Sequence, residues 1–131
     1  DTLHARNFLR HDVLTALAGR FPPAEKNLAQ ATAHFAEADI LLGELARLDW
    51  AAAADGDVLK LSSLREVSLP RLKNLLRYRL RQLGWQAPAA VRLDEFARQL
   101  QTAGTDRHPA LDLAEGSMIA GRGRLCWVAR E

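Results

Sequence analysis

Apolar residues recur at spacings of three and four through most of this chain, and Pro and Gly divide the pattern into separate helices. In residues 6–18, Phe8, Leu9, Val13, Leu14 and Leu17 mark one helix face, with Gly19 as the expected stop. Phe21-Pro22-Pro23 follows as a turn, because two prolines remove amide donors and push the preceding residue out of the helix. From Ala24 to about Ala54 one long helical pattern carries Leu28, Ala31, Phe35, Ala38, Leu42 and Leu45, a stripe that needs a partner helix. Asp55-Gly56-Asp57 closes it in a turn. Val58–Leu61 reads as a short extended piece, and Ser62 or Ser63 is placed to cap the next helix.

Residues 69–83 are the most strongly patterned. At 100° per residue, Leu69, Leu72, Leu75, Leu76, Leu80 and Leu83 share an arc of about 140°. Lys73, Asn74, Arg77 and Arg81 occupy a separate arc of about 100°. Gly84 ends this helix, and Pro88 precedes another over 91–102 with Leu93, Phe96, Ala97 and Leu100 inward. After Gly104 the texture changes: segments starting at Pro109, Gly116 and Arg124 read as short strands broken by glycines, able to form a small hairpin over one end of the helices. The expected fold class is mainly α, a helical bundle with a long helix hairpin and a small C-terminal β element.

Composition narrows the chemistry. A chain of 131 residues with 48% hydrophobic content suits one domain, or one with an appendage. The single cysteine, Cys126, excludes an internal disulfide framework and a cysteine-rich zinc site, and it fits a reducing compartment such as the cytoplasm. Its apolar neighbours make it an expected buried, inert thiol. No run of 18 apolar residues exists, so no membrane partner is expected. His4, His11, His34 and His108 form no close i, i+4 pair and join no carboxylate motif, so no metal site is assigned. Asp94-Glu95 are adjacent rather than facing, which suits the start of a helix better than acid/base work. No glycine-rich loop opens a helix after a strand. No catalytic residue is assigned.

The net charge of +2 conceals an uneven distribution. Residues 21–64 carry three basic and seven acidic groups, a net of −4. Over residues 65–81, Arg65, Arg71, Lys73, Arg77, Arg79 and Arg81 face Glu66 alone, an excess of five. Residues 82–131 hold six of each sign. Lys73, Arg77 and Arg81 recur every four residues, about 6 Å apart along one helix face, a spacing that suits successive RNA phosphates. Arg71 adds charge beside them, and Asn74 can reach a base edge or a 2′-hydroxyl. The same charges would also serve as a solvated helix face. Arg79 lies inside the apolar arc and is expected to snorkel or to pair with an acid of the long helix. Tyr78, Trp85 and Trp127 could stack a base, although core packing is the expected use of each. Arg6 and Arg10, beside Asn7 and His11, could hold an anion or form a charge cluster at a helix end.

Three motifs carry a family resemblance. Asp1-Thr2-Leu3-His4-Ala5-Arg6-Asn7-Phe8-Leu9-Arg10-His11, followed by Leu14 and Leu17, resembles the segment that closes the catalytic domain of the bacterial tRNA(Ile)-lysidine synthetase family. Leu69-Pro70-Arg71-Leu72-Lys73-Asn74-Leu75-Leu76-Arg77-Tyr78-Arg79-Leu80, then Gly84 and Pro88, is similar to that family's substrate-binding motif. Arg122-Gly123-Arg124-Leu125 resembles its later Tyr-Arg-Gly-Arg-Leu stretch. The matches occur in family order. The chain departs from the pattern at Arg79, where Trp is usual, at Gly121, where Tyr is usual, and at Thr15, where Pro is common.

The resemblance implies an excised piece of a longer enzyme whose Ser-Gly-Gly-x-Asp-Ser loop would lie upstream. Residues 1–22 would end the catalytic domain and linker helix, and residues 23–131 would form the tRNA substrate-binding domain. In the intact enzyme ATP adenylates the C2 oxygen of the wobble cytidine of a tRNA(Ile) precursor, and the ε-amine of lysine displaces AMP. ATP and Mg would belong to the intact protein, with no cofactor in this stretch. The partners would be the tRNA(Ile) precursor, contacted by Arg71, Lys73, Asn74, Arg77 and Arg81, and the protein's own N-terminal ATPase domain. Arg6, Asn7, Arg10 and His11 would lie near that domain. Alone, the stretch would orient substrate rather than make bonds. The alternative from the Leu28–Leu45 stripe is a helical protein-interaction or oligomerisation module that binds no nucleic acid. A stand-alone hydrolase using Cys126 or His11 finds no supporting constellation.

Overall fold

The computed structural model describes residues 2–131, and Asp1 of the first motif lies outside the described residues. The chain divides into two compact units, one ending at Leu41 and the other spanning Leu42–Glu131. In the first, helix α1 (Thr2–Phe8) passes through a π-helical turn (Leu9–Val13) into α2 (Leu14–Arg20). Gly19 does not stop α2. It has no positive φ, and the helix ends at Arg20, where Phe21 turns to φ −128 ahead of Pro22. The proline therefore terminates the helix by restricting the residue before it. Helix α3 (Ala24–Ala53) begins directly after the two prolines. Its stripe is largely uncovered, with Leu28 at 47% and Phe35 at 74% exposure.

The second unit is built around an antiparallel sheet of five strands in the order β1-β2-β5-β4-β3. The strands are β1 (Ala54–Asp55), β2 (Val58–Lys60), β3 (Ala110–Asp112), β4 (Gly116–Gly121) and β5 (Arg124–Ala129). The expected hairpin is β4–β5, and it recruits more than it should on sequence grounds. Leu59 pairs with Leu125, so the short piece after α3 extends the sheet, while β1 pairs back on β2 across a turn at Gly56, φ +66. Helices α4 (Leu61–Leu64), α5 (Leu69–Leu83) and α6 (Ala90–Thr102) complete the unit. The fold is mainly α with a small β element, as the periodicity predicts.

Period-two alternation decides which strand residues enter the core. Met118 and Ala120 are buried, and their partners across the ladder, Trp127 and Leu125, share that face. They pack with Leu72, Leu75, Leu76 and Leu80 of α5 and with Leu93, Phe96 and Leu100 of α6. Cys126 pairs with Ile119 on the opposite face and is only half-buried, its Sγ 3.4 Å from the Ile119 carbonyl oxygen. The expectation of a buried thiol fails because the apolar run alternates between two faces.

Helix α5 is capped by Ser68, whose Oγ accepts from the Arg71 amide at 3.4 Å, and not by Ser62 or Ser63, which lie within α4. Pro70 occupies its first turn, where no amide donor is needed. Gly84 closes it at φ +74, and the Trp85 amide returns to the Leu80 carbonyl at 2.9 Å. These caps fix where the leucine face ends, and hence where the charged edge of α5 stands.

Candidate nucleic-acid interface

Arg71 and Lys73 lie on opposite borders of the buried leucine face of α5, so each is drawn toward a neighbouring helix. Arg71 turns to α3, where Nε donates to Asp49 Oδ2 at 3.2 Å and Nη2 donates to Oδ1. Asp49 is 5% exposed, so this bidentate grip supplies a buried carboxylate with its counter-charge. Asn74 is also buried, and its Nδ2 donates to the Leu42 carbonyl at 2.9 Å. Both contacts hold α5 against the second half of α3.

On the other border Lys73 reaches α6, its Nζ 3.1 Å from Asp94 Oδ1, while Arg98 Nε donates to Asp94 Oδ2 at 2.7 Å. The hydrogen bonds from Arg98 and then Lys73 hold the Asp94 carboxyl below its ordinary range. Asp94 thus lies in the second turn of α6 and bridges two cations. Arg77 is half-buried and Arg81 is exposed, one turn apart on the arc between these two sets of contacts.

Arg79 meets no acid of the long helix. Its guanidinium carbon stands 4.7 Å from the centroid of the Trp50 ring and 5.5 Å from that of Trp127, and those rings are 5.9 Å apart at 46°. An arginine inside an apolar arc is accommodated here by two aromatic faces. Trp85 and Trp127 both pack against the core, while the Tyr78 hydroxyl accepts from Gln82 Nε2 at 3.0 Å. Arg6, Asn7, Arg10 and His11 are all exposed, with Arg10 and His11 inside the π-helical turn.

A second basic region escaped charge counting. A cleft of about 500 Å³ lies between the start of α4, the loop after α6 and the β4–β5 turn, and its lining includes Arg65, Arg107, His108, Arg122 and Arg124. Four arginines from distant parts of the sequence converge there, whereas residues 82–131 summed to zero in the linear count. The Arg-Gly-Arg run at 122–124 was the available signal. Gly121 pairs with Arg124, leaving Arg122-Gly123 as a two-residue loop with φ of +54 and +77. That is the type I′ geometry, which favours Asn or Gly at its first position, and an arginine there costs about 1 kcal/mol.

A family model described as TilS substrate binding domain matches residues 59–126, which include α5, α6 and the cleft-lining arginines. The chain is 50% identical over 101 residues to a tRNA(Ile)-lysidine synthase of Aromatoleum aromaticum, covering 77% of this chain and 24% of that one. Against the tRNA(Ile)-lysidine synthase of Alkalilimnicola ehrlichii identity is 38%, covering 93% and 27%. Against that of Pseudomonas putida it is 37%, covering 98% and 32%. The chain therefore spans from 24% to 32% of the length of these relatives.

Proposed function

This chain belongs to the TilS substrate-binding domain family, and from that premise we propose that it binds a tRNA(Ile) precursor and orients it for lysidine formation by a longer enzyme. The observation that supports this best is the charged edge of α5, held in place by Asp49, the Leu42 carbonyl and Asp94. Arg77 and Arg81, about 6 Å apart along it, meet phosphates, with Lys73 and Arg71 adding field at the borders. Asn74 keeps α5 seated on α3 rather than reading a base. Binding energy from such contacts is spent on orientation, which is how a domain without bond-making groups raises a rate. In that longer enzyme ATP and Mg belong to the N-terminal ATPase domain, near which Arg6, Asn7, Arg10 and His11 lie. The reaction takes place in the cytoplasm. Among the described residues no helix is long and apolar enough to cross a membrane. The reading is tested by titrating a labelled tRNA(Ile) transcript with the chain at several salt concentrations. Binding whose logarithm falls linearly with log salt supports it, and no binding at 50 mM salt removes it.

One observation favours a second reading. Leu28 and Phe35 expose a helical apolar stripe that protein, not RNA, would cover. A helical interaction or oligomerisation module predicts a concentration-dependent dimer in sedimentation and no RNA affinity.

A further inference from the structure

The cleft beside the β4–β5 turn has no part in the α5 edge, yet four arginines line it. Its lining holds Arg65, Arg107, Arg122, Arg124 and His108 and no carboxylate. We propose that this cleft is a separate phosphate-binding site, which takes a phosphodiester group of the RNA at a second point of contact. The identity of the phosphate donor rests on the tRNA reading above, and the anion chemistry does not.

Division of labour among the arginines supports a built site. Arg65 is anchored, its Nη2 donating to the Ala103 carbonyl at 2.9 Å. Arg124 is anchored at the opposite side by Asp55 Oδ2 and the Gly123 carbonyl, both at 3.3 Å. Each of these forks leaves further N–H donors for a ligand. The Arg107 and Arg122 guanidinium groups have no hydrogen-bond or ion-pair partner among the described residues. Both residues are exposed and line the same cleft, so their donors are available to an anion there.

The backbone points the same way. Arg122 takes a left-handed conformation, φ +54, at a turn position where Asn or Gly would be easier, and strain of this kind is retained where the side chain is needed. The turn that carries it is fixed, because the Leu61 amide donates to the Gly123 carbonyl at 3.0 Å. A phosphate bridged by Arg107 and Arg122, flanked by Arg65 and Arg124, receives planar paired donors from several directions.

The test compares Arg107→Gln/Arg122→Asn with the parent chain. Asn suits the turn, so this variant is expected to melt at or above the parent temperature while losing the site. Two probes are used, inorganic phosphate followed through the backbone amide resonances of residues 121–124, and labelled tRNA(Ile) followed by anisotropy. The parent should show saturable phosphate shifts that the variant lacks. The variant should bind tRNA about tenfold more weakly, with a salt slope smaller by about 1.4 to 1.8 for two lost contacts. Absent phosphate shifts in the parent overturn the site itself. Phosphate shifts together with unchanged tRNA affinity and slope overturn the RNA phosphodiester as occupant. Loss of tRNA binding by α5 variants would leave the tRNA reading intact in both cases.

Discussion

Arg79 and Trp50 stand 4.7 Å apart, guanidinium carbon to ring centroid, and this contact removes one of six basic residues in the 65–81 segment from any role as a free surface charge. Trp127 closes the other side at 5.5 Å, and the Arg79 Nε is buried without a hydrogen-bond partner. The cation is held by ring faces and packing, so its contribution is mostly insensitive to salt.

Arg79→Ala should therefore lower stability by about 1–2 kcal/mol, since it removes both the cation–π contact and the aliphatic stem that fills the gap. Urea unfolding measures the loss. The salt slope of tRNA binding should not change. A reduced slope would place Arg79 on the RNA.

Asp94 makes stability depend on pH in a defined direction. Its folded pKa is held down by the hydrogen bonds from Arg98 and Lys73, below the unfolded value of about 3.9. The unfolded state then binds more protons near pH 4, so the contribution is present above that pH and is lost as pH falls through the folded value. Asp94→Asn should be less stable than the parent at pH 7, and the difference between the two in thermal melts should shrink below pH 4. A difference that is constant with pH would contradict the pairing.

Gly116 has no freedom to gain a side chain. A Cβ there would overlap the Val128 carbonyl oxygen and the Trp85 ring, whose Cζ2 would lie at 2.8 Å. Gly116→Ala should cost about 1–3 kcal/mol through overpacking, and Trp85 fluorescence should shift as the ring is displaced. A variant with unchanged stability and emission would show that Trp85 does not pack across the strand.

Much of the helical fold was legible because α5 and α6 bury one face each at a regular 3.6-residue period. Leu72, Leu75, Leu76 and Leu80 are all inside, as their spacing requires. The β1 and β2 strands were not legible as sheet members, since Leu59 is placed by pairing with Leu125, 66 positions away, and no local pattern encodes that. The π-helical turn at Leu9–Val13 has no composition signal either. For the α5 edge, periodicity located the charged arc but could not foresee that Asp49 and Asp94, on other helices, would engage Arg71 and Lys73. The basic cleft was invisible to counting along the chain because its arginines, from the end of α4, the loop after α6 and the β4–β5 hairpin, come together only in the folded unit.

The central claim is that the α5 edge meets RNA phosphates, and Arg77→Gln/Arg81→Gln tests it while leaving the Asp49 and Asp94 pairs in place. The measurement is the slope of log affinity for tRNA(Ile) against log salt, taken alongside a melting curve. With melting close to that of the parent, the slope should fall in magnitude by about 1.4 to 1.8, or about 0.7–0.9 for each phosphate contact removed. An unchanged slope in a folded double variant would contradict the account.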